Sequence, residues 1–376
     1  MRNGIRTFGG ILVLLMVITS LIGCGAANEQ SSETTGASVT GSGAAGDIPR
    51  IAFIYVGTVG DEGWTYEHDR GRKYLEEKLG TKIDYVESVP ESADAERVLT
   101  ELAQNHDIIF ATSFGHMDYT YNVSLKFPKV KFLHAAGYKS GENMGNYFAR
   151  NWDGSYLAGI AAGKVTKSNV IGYLASFPIP QLVYNINAFA LGAQSVNPDV
   201  KVKVVWNNSW YDPTNERQAS TSLADEGADV LVSYPDSPAT IKVAEERGVW
   251  GVGNSTEMAS YAPNAYLTNP IWNWGVYYEK VVKEIMDGTW KGGSYLGGLE
   301  DGMVDLAAYG SKVPEDVKSL VNEKKALMQK DELNVFVGPV TDTEGNVKIK
   351  EGESMKDEDI MQMMWFVKGV EGTLPK

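Results

Sequence analysis

Aromatic rings and hydroxyl groups occur together at five places in this chain, four of which also carry carboxylates, and each place comes directly after a short apolar run. These places are residues 57–69, 112–118, 176–180, 208–213 and 233–237. Aromatic side chains stack on flat π-systems, and serine hydroxyls and aspartate carboxylates form hydrogen bonds with a polar ring edge. The combination predicts a site for a flat, polar, aromatic ligand. The alternative is that the aromatic residues serve only to pack the interior.

The chain contains no residue set that is typical of an enzyme. Its four histidines lack a metal-ligand spacing such as His-x-x-x-His, and they are His68, His106, His116 and His134. Gly251 and Gly253 form a Gly-x-Gly pair without the third glycine of a dinucleotide site. Neither a Gly-x-Ser-x-Gly elbow nor a Walker-type loop occurs. We therefore expect a binding protein rather than an enzyme, without a cofactor and without a metal.

Apolar runs alternate with helical patterns from residue 50 onward, which is typical of a parallel sheet covered by helices. Residues 63–79 have a helical pattern, with Gly80 placed to end the helix and Ser92 placed to cap the next one. The predicted strands are the apolar runs 51–56, 108–111, 130–133, 170–174, 202–206, 230–232 and 249–252.

The alternation restarts in the second half of the chain, which predicts two doubly wound α/β lobes. We expect lobe 1 at 50–155, completed by part of 290–376, and lobe 2 at 156–270, completed by part of 271–330. Ligands of such sheets bind at the carboxyl ends of the parallel strands. The five aromatic and polar loops are therefore expected to face one cleft between the lobes.

The first 24 residues predict export and a lipid anchor. Arg2 and Arg6 precede an apolar run of about 12 residues, which is too short for a membrane-spanning helix. Leu-Ile-Gly directly before Cys24 resembles the lipobox of bacterial lipoproteins, in which the cysteine is acylated. Residues 1–23 are thus expected to be a lipoprotein signal peptide. Residues 24–49, rich in Gly, Ala, Ser and Thr, are expected to be a flexible tether.

The charge and the cysteine count exclude several classes of function. Cleavage at Cys24 would leave 48 acidic against 32 basic residues, a formal charge of −16. Such a surface disfavours nucleic acids, because their binding depends on Lys and Arg. Cys24 is the only cysteine, so disulfides, thiol nucleophiles and thiolate metal sites are not expected once it is acylated.

Five segments, in this order, resemble the basic membrane lipoprotein family. They are residues 61–69, 176–180, 208–213, 271–275 and 365–370, so the resemblance covers nearly everything after residue 50. Members of that family are substrate-binding lipoproteins of ABC importers with the type I periplasmic-binding-protein fold, and characterised members bind purine bases or purine nucleosides. The resemblance implies the same fold and ligand class here.

The resemblance and the strand-end loops together give ten candidate ligand-binding residues. Trp64 stands where the family places a stacking ring, and Phe177 would cover the opposite face of the ligand from the other lobe. Four side chains are candidates for hydrogen bonds to the ring edge: Asp61, Asp118, Ser209 and Asp236. Four further aromatic residues complete the set: Tyr66, Phe114, Trp210 and Trp272.

Two departures from the family favour a free base over a nucleoside. The nucleoside-binding branch holds the ribose hydroxyls with an aspartate after a strand-end glycine and a lysine shortly after a Leu-Thr pair. Here Asn254 follows Gly253, and Trp272 stands where the lysine would be. We therefore expect a purine base such as adenine or guanine, bound when the two lobes close.

The implied partners are an ABC permease with its ATPase subunits and a membrane reached through the lipid anchor. We expect an extracytoplasmic monomer, on a Gram-positive cell surface or in a periplasm. Three alternatives stay open: an extracellular enzyme acting on purines, a surface sensor or adhesin, and a type I protein that binds sugars, whose rings also stack on indoles.

Overall fold

The computed structural model describes residues 48–374. The predicted signal peptide (1–23), the lipidation site Cys24 and all but the last two residues of the predicted tether (24–49) lie outside the described residues.

Sixteen strands and ten α-helices occur in this part of the chain. The strands, in chain order, are β1 (Ile51–Ile54), β2 (Asp84–Val86), β3 (Ile108–Ala111), β4 (Lys131–Ala135), β5 (Met144–Ala149), β6 (Val170–Ala175), β7 (Lys201–Trp206), β8 (Val230–Ser233), β9 (Trp250–Val252), β10 (Tyr266–Thr268), β11 (Pro270–Trp272), β12 (Gly293–Gly297), β13 (Val304–Leu306), β14 (Val340–Thr341), β15 (Val347–Ile349) and β16 (Val370–Glu371). The helices are α1 (Trp64–Leu79), α2 (Ala93–Ala103), α3 (Met117–Lys126), α4 (Asn151–Val165), α5 (Pro180–Val196), α6 (Pro213–Asp225), α7 (Ala239–Arg247), α8 (Trp274–Met286), α9 (Glu315–Met328) and α10 (Asp357–Ile360).

The first lobe is built on a six-stranded sheet in the order β12-β5-β4-β3-β1-β2, with every pair parallel. Successive side chains of β1 point to opposite faces, so Phe53 packs with α1 and α8, whereas Ile54 packs with α2 and α3. Both faces are covered by helices. This coverage explains why β1 and β3 are continuous apolar runs rather than alternating ones.

The second lobe repeats this arrangement in the order β10-β9-β8-β6-β7-β16, again with every pair parallel. The predicted fold class, two doubly wound parallel α/β lobes, is confirmed. The sixth strand of this sheet is β16 at Val370–Glu371, which lies beyond the range 271–330 that was expected to complete lobe 2. A strand of two residues shows no periodicity, so the sequence pattern could not reveal it.

Three segments carry the chain between the two sheets. The first is α4, which connects β5 to β6. The second runs from β10 to β12 and contains β11, and the third runs from β12 to β16 and contains β13. Strands β11 and β13 pair antiparallel, with Pro270 opposite Leu306. The second and third crossing segments are therefore joined to each other beside α4.

Two helix ends lie where the sequence predicted them. Helix α1 ends at Gly80, which has φ of +66° and donates its N–H to the Glu76 carbonyl. The Ser92 hydroxyl accepts the Asp94 N–H and caps α2, as predicted. Both features orient helices whose N-termini lie at the carboxyl ends of the strands, next to the predicted cleft.

Candidate functional site

The loops that follow β1 and β8 contact each other, which brings the carboxyl ends of the two sheets together. Asp236, after β8, lies against Gly63, which directly precedes α1 in lobe 1. The Tyr261 hydroxyl in lobe 2 donates to the Glu62 carboxylate of lobe 1 at 2.8 Å. The loops after β1 and β8 therefore meet where the two lobes face each other, and a single site formed by all five loops stays a prediction.

Trp64 is the first residue of α1, and its indole is half-buried beside the crossing segments. Its Nε1 donates to the Thr112 carbonyl at 2.7 Å, which fixes the orientation of the ring. Trp272 and Trp274 meet this ring edge-on, at centroid distances of 5.9 and 5.5 Å. The helix start, the end of β3 and the crossing segment thus position one indole.

Trp272 and Trp274 form the base of an aromatic cluster below Trp64. Their rings stack at 4.9 Å with an interplanar angle of 10°. The Trp272 Nε1 donates to the Ser255 hydroxyl at 3.1 Å, and both indoles are almost fully buried. His68, one turn after Trp64, stacks on Trp274 at 4.5 Å. Trp272 therefore belongs to a packed platform, with few of its atoms open to a ligand.

Phe177 and Trp210 provide aromatic surface from lobe 2. Phe177 follows β6 and is partly buried, and its ring lies 5.2 Å from that of Trp210, which is 42% exposed. The Ser209 hydroxyl accepts the Tyr211 N–H at 3.2 Å, so this hydroxyl shapes the loop after β7. The hydrogen of this hydroxyl remains available to a ligand.

Six buried polar atoms around this site have no hydrogen-bond partner within residues 48–374. They are Thr65 Oγ1, His68 Nε2, Asn151 Oδ1, Ser176 Oγ, Asn207 Nδ2 and Trp274 Nε1. Unpaired buried polar atoms cost free energy, so such atoms indicate groups that a ligand or water completes. Asn151 begins α4, and Ser176 and Asn207 follow β6 and β7 directly. None of Asn151, Ser176 and Asn207 was a candidate site residue, although the positions of Ser176 and Asn207 directly after strands were a usable signal.

Tyr234 connects α4 and α5 at the same end of the second sheet. Its hydroxyl contacts the side-chain amides of Asn151 at 3.2 Å, Gln181 at 3.0 Å and Asn185 at 3.3 Å. Burial raises the pKa of Tyr234 far above its usual range, so the hydroxyl is neutral. This network holds the Asn151 side chain at the start of the first crossing segment.

Three of the candidates lie at the edge of the site or on the surface. Asp118 is exposed and pairs with Lys139 at 2.8 Å. Phe114 is 57% exposed, and Tyr66 is exposed as well. The structure therefore does not bring these side chains together with Trp64.

Asp61 and Asp236 both lie at the N-terminus of α1. The Asp61 carboxylate accepts the backbone N–H groups of Gly63, Thr65 and Tyr66 at 2.9–3.0 Å. The Asp236 carboxyl group lies against Gly63. Loss of solvent, together with the nearby Asp61 charge, raises the pKa of Asp236 well above its usual range. Hydrogen bonding of these carboxyl groups to a ring edge stays a prediction.

The three most buried histidines have structural partners. His68 Nδ1 lies 2.5 Å from the Tyr278 hydroxyl, and His116 and His134 contact the carbonyls of Val89 and Ser113. Burial lowers the pKa of His134 to about 4, so this ring is neutral at physiological pH. Over residues 48–374, no group of His, Cys, Asp and Glu side chains is arranged to hold a metal ion.

None of the helices within residues 48–374 is both long enough and apolar enough to cross a membrane.

Comparison with known proteins identifies one family and relatives that align with most of this chain. The model of the Bmp family, described as ABC transporter substrate-binding protein PnrA-like, matches residues 48–337. A purine-binding protein of Brucella abortus (strain 2308) is 44% identical over 330 residues, covering 87% of this chain and 94% of that protein. A Haloferax volcanii protein, provisionally named an ABC transporter glucose-binding protein, is 38% identical and covers 95% of this chain and 94% of its own length.

Solved structures support the fold. An ABC transporter solute-binding protein from Conexibacter woesei superposes with a TM-score of 0.66 at 19% identity, covering 76% of this chain and 97% of that chain. At such low identity the likeness concerns the fold alone. It agrees with the type I periplasmic-binding-protein architecture that the resemblance implied, and the family resemblance itself is confirmed by the matching model. The chain belongs to the Bmp family of PnrA-like ABC transporter substrate-binding proteins, which are extracytoplasmic solute-binding proteins and not enzymes.

Proposed function

We propose that this protein captures a purine base in the cleft between its lobes and delivers it to an ABC permease. The observation that carries the proposal is the 44% identity, over 87% of the chain, to a protein named as purine-binding. The half-buried indole of Trp64 and the partly buried ring of Phe177 offer flat surfaces from opposite lobes. The unpaired atoms of Asn151 and Ser176 supply polar groups for a ring edge.

A free base fits the surroundings of Asn254 and Trp272 better than a nucleoside does. The Asn254 amide donates to the Tyr234 carbonyl at 3.2 Å and to the Ser255 hydroxyl at 3.0 Å. The Trp272 indole is 3% exposed and bonded to the same hydroxyl. These side chains are satisfied within the protein and provide no carboxylate or ammonium for ribose hydroxyls.

Capture by lobe closure is part of the proposal. The contacts of Asp236 with Gly63 and of Tyr261 with Glu62 join the two lobes across the cleft. A ligand that touches both walls would favour the form in which these contacts exist. A lipid on Cys24 would keep the protein beside its permease.

A sugar ligand is the second candidate, because a relative that is 38% identical carries a glucose-binding name. Indole faces also stack on sugar rings. A sugar site needs many hydrogen-bonding groups around its hydroxyls, whereas Asp61 and Asp118 are bound to protein groups and Asp236 lies against Gly63. We therefore favour a purine base over a sugar as the ligand.

Calorimetry on the full-length protein tests both candidates. Adenine, guanine, hypoxanthine, their nucleosides and glucose are titrated separately, after mass spectrometry of any molecule that copurifies. We expect one base to bind at least about tenfold more tightly than its nucleoside, and glucose to give no binding heat. Tighter binding of every nucleoside than of its base would overturn the choice of a free base. Binding of glucose alone would replace the purine with a sugar.

A further inference from the structure

The Ser255 hydroxyl has both of its acceptor positions occupied by donors of the protein. The Trp272 Nε1 donates to it at 3.1 Å, and the Asn254 Nδ2 donates to it at 3.0 Å. A serine oxygen carries two lone pairs and one hydrogen, so these two contacts use both lone pairs. Only the hydrogen of the hydroxyl is left to form a further bond.

The direction of both contacts is fixed by chemistry. An indole N–H can only donate. The Asn254 Nδ2 also donates to the backbone carbonyl of Tyr234 at 3.2 Å, and a carbonyl oxygen can only accept. The nitrogen of this amide, rather than its oxygen, must therefore face Tyr234 and Ser255. As a result, the Ser255 hydroxyl cannot donate to either Asn254 or Trp272.

The Ser255 hydrogen is thus a buried donor without an acceptor among residues 48–374. The residue is 4% exposed, and in both of its side-chain hydrogen bonds to these neighbours the serine oxygen accepts. A buried donor that stays unpaired costs free energy, so it indicates a group that a bound molecule completes.

The surroundings of Ser255 also indicate a ligand site. Ser255 follows β9 at its carboxyl end, where ligands of parallel sheets bind. Its φ is +65°, a left-handed conformation that residues other than glycine rarely adopt and that is common at ligand sites. Its hydroxyl contacts Trp272, whose ring lies 5.9 Å from that of Trp64. The donor therefore lies beside the aromatic surfaces of the proposed site.

We propose that Ser255 is a ligand-binding residue of fixed polarity, which donates its hydroxyl hydrogen to a ring nitrogen of the purine base. The acceptor is N3 or the unprotonated nitrogen of the five-membered ring, and adenine and guanine both present such acceptors. A hydroxyl that can only donate favours an unprotonated nitrogen and disfavours a C–H or N–H group at the same place. The inference deepens the proposed function and rests on it, because it names the ligand atom that the serine binds.

Isothermal titration calorimetry of the full-length protein with ligand analogues tests this assignment. Adenine, guanine and hypoxanthine are titrated beside their 3-deaza and 7-deaza analogues, in which a C–H group replaces N3 or N7. The remaining nitrogen of the five-membered ring in the 7-deaza analogues is an N–H group, so that ring offers no acceptor. Each ligand is measured on the wild-type protein, Ser255→Ala and Ser255→Gly. Glycine suits the φ of +65°, so the second variant removes the hydroxyl without backbone strain.

For the wild-type protein we expect one of the two analogues to bind about tenfold more weakly than the base from which it derives. In Ser255→Ala and Ser255→Gly this difference should disappear, because the hydroxyl that distinguishes the two ligands is absent. The other analogue should lose affinity in the variants by the same factor as the base does.

Ser220→Ala is the matched control, because Ser220 is also buried in lobe 2 and its hydroxyl donates to the Thr240 hydroxyl at 2.9 Å. This variant should keep the wild-type ratio of affinities for base and analogue. An unchanged ratio in Ser255→Ala and Ser255→Gly would overturn the proposal, since the serine would then act only by holding Trp272 and Asn254. That outcome would leave the proposed function intact, whereas a wild-type protein that binds no purine base would refute both.

Discussion

Ser176 carries a hydroxyl that is fully buried at the end of β6 and has no partner within the described part of the chain. Burial of such a group costs free energy in the ligand-free protein unless water fills the position. The same hydroxyl gains a hydrogen bond when a polar ligand occupies the cleft. The hydroxyl should therefore lower the stability of the ligand-free protein and raise its affinity for the ligand.

Ser176→Ala should therefore weaken the binding of a purine base by roughly three- to tenfold, because one hydrogen bond is lost. Thermal unfolding of the ligand-free variant should be unchanged or shifted to a higher temperature, since an unpaired polar atom is removed. Isothermal titration calorimetry measures the affinity for the base, and differential scanning calorimetry measures the unfolding temperature of the ligand-free protein.

Ser155→Ala is the matched control for stability. Ser155 is also buried, but its hydroxyl donates to the Asn185 side-chain oxygen at 2.8 Å. Its removal leaves that oxygen unpaired and should lower the free energy of unfolding by about 1–3 kcal/mol. If Ser176→Ala destabilises the ligand-free protein as much as Ser155→Ala does, the Ser176 hydroxyl is a structural group and not a ligand-binding one.

Helices α4 and α5 pack with their backbones in direct contact at glycines. A Cβ on Gly159 would overlap the Phe189 carbonyl, and a Cβ on Gly192 would overlap the Tyr156 carbonyl. Helix α4 is also the first crossing segment and begins at Asn151, so this packing determines where the Asn151 side chain lies relative to lobe 2. Small residues on the two helices thus set the geometry of one wall of the site.

Gly159→Ala should lower the free energy of unfolding by about 2 kcal/mol, because the helices must move apart to admit a methyl group. Chemical denaturation with urea measures this difference. Gly141→Ala is the control, since a Cβ at Gly141 meets no atom within 4 Å. Equal midpoints for the two variants would show that α4 and α5 accommodate the methyl group without strain.

The proposed lipid anchor on Cys24 makes a prediction about where the protein is found in the cell. A diacyl anchor on this residue would account for retention at the cell surface. Cys24→Ser should shift the protein from the membrane fraction to the soluble or secreted fraction, as measured by fractionation and immunoblotting. Ser31→Ala, in the predicted tether, should leave the distribution unchanged. Retention of Cys24→Ser in membranes would refute lipid anchoring.

The sequence by itself determined the two-lobe α/β fold and the family. Continuous apolar runs such as those at β1 and β3 are possible only for strands covered on both faces, so they predict a parallel sheet from local composition. Gly80 and Ser92 marked helix ends for equally local reasons, namely left-handed backbone and side-chain capping. The helix that begins at Trp64 was likewise predicted from the helical pattern of residues 63–79.

Only the tertiary structure decided which polar side chains remain open to a ligand. Asp61, Asp118 and Asp236 look equivalent in the sequence, yet one caps α1, one pairs with Lys139 and one reaches across the cleft to Gly63. Asn151 lies in no motif, and Ser176 was part of segment 176–180 but not a candidate residue, yet both hold buried polar atoms without partners in the described part of the chain. The reason is physical: whether a carboxylate or hydroxyl is satisfied depends on donors that lie far away in the chain, and only folding brings those donors within hydrogen-bond distance.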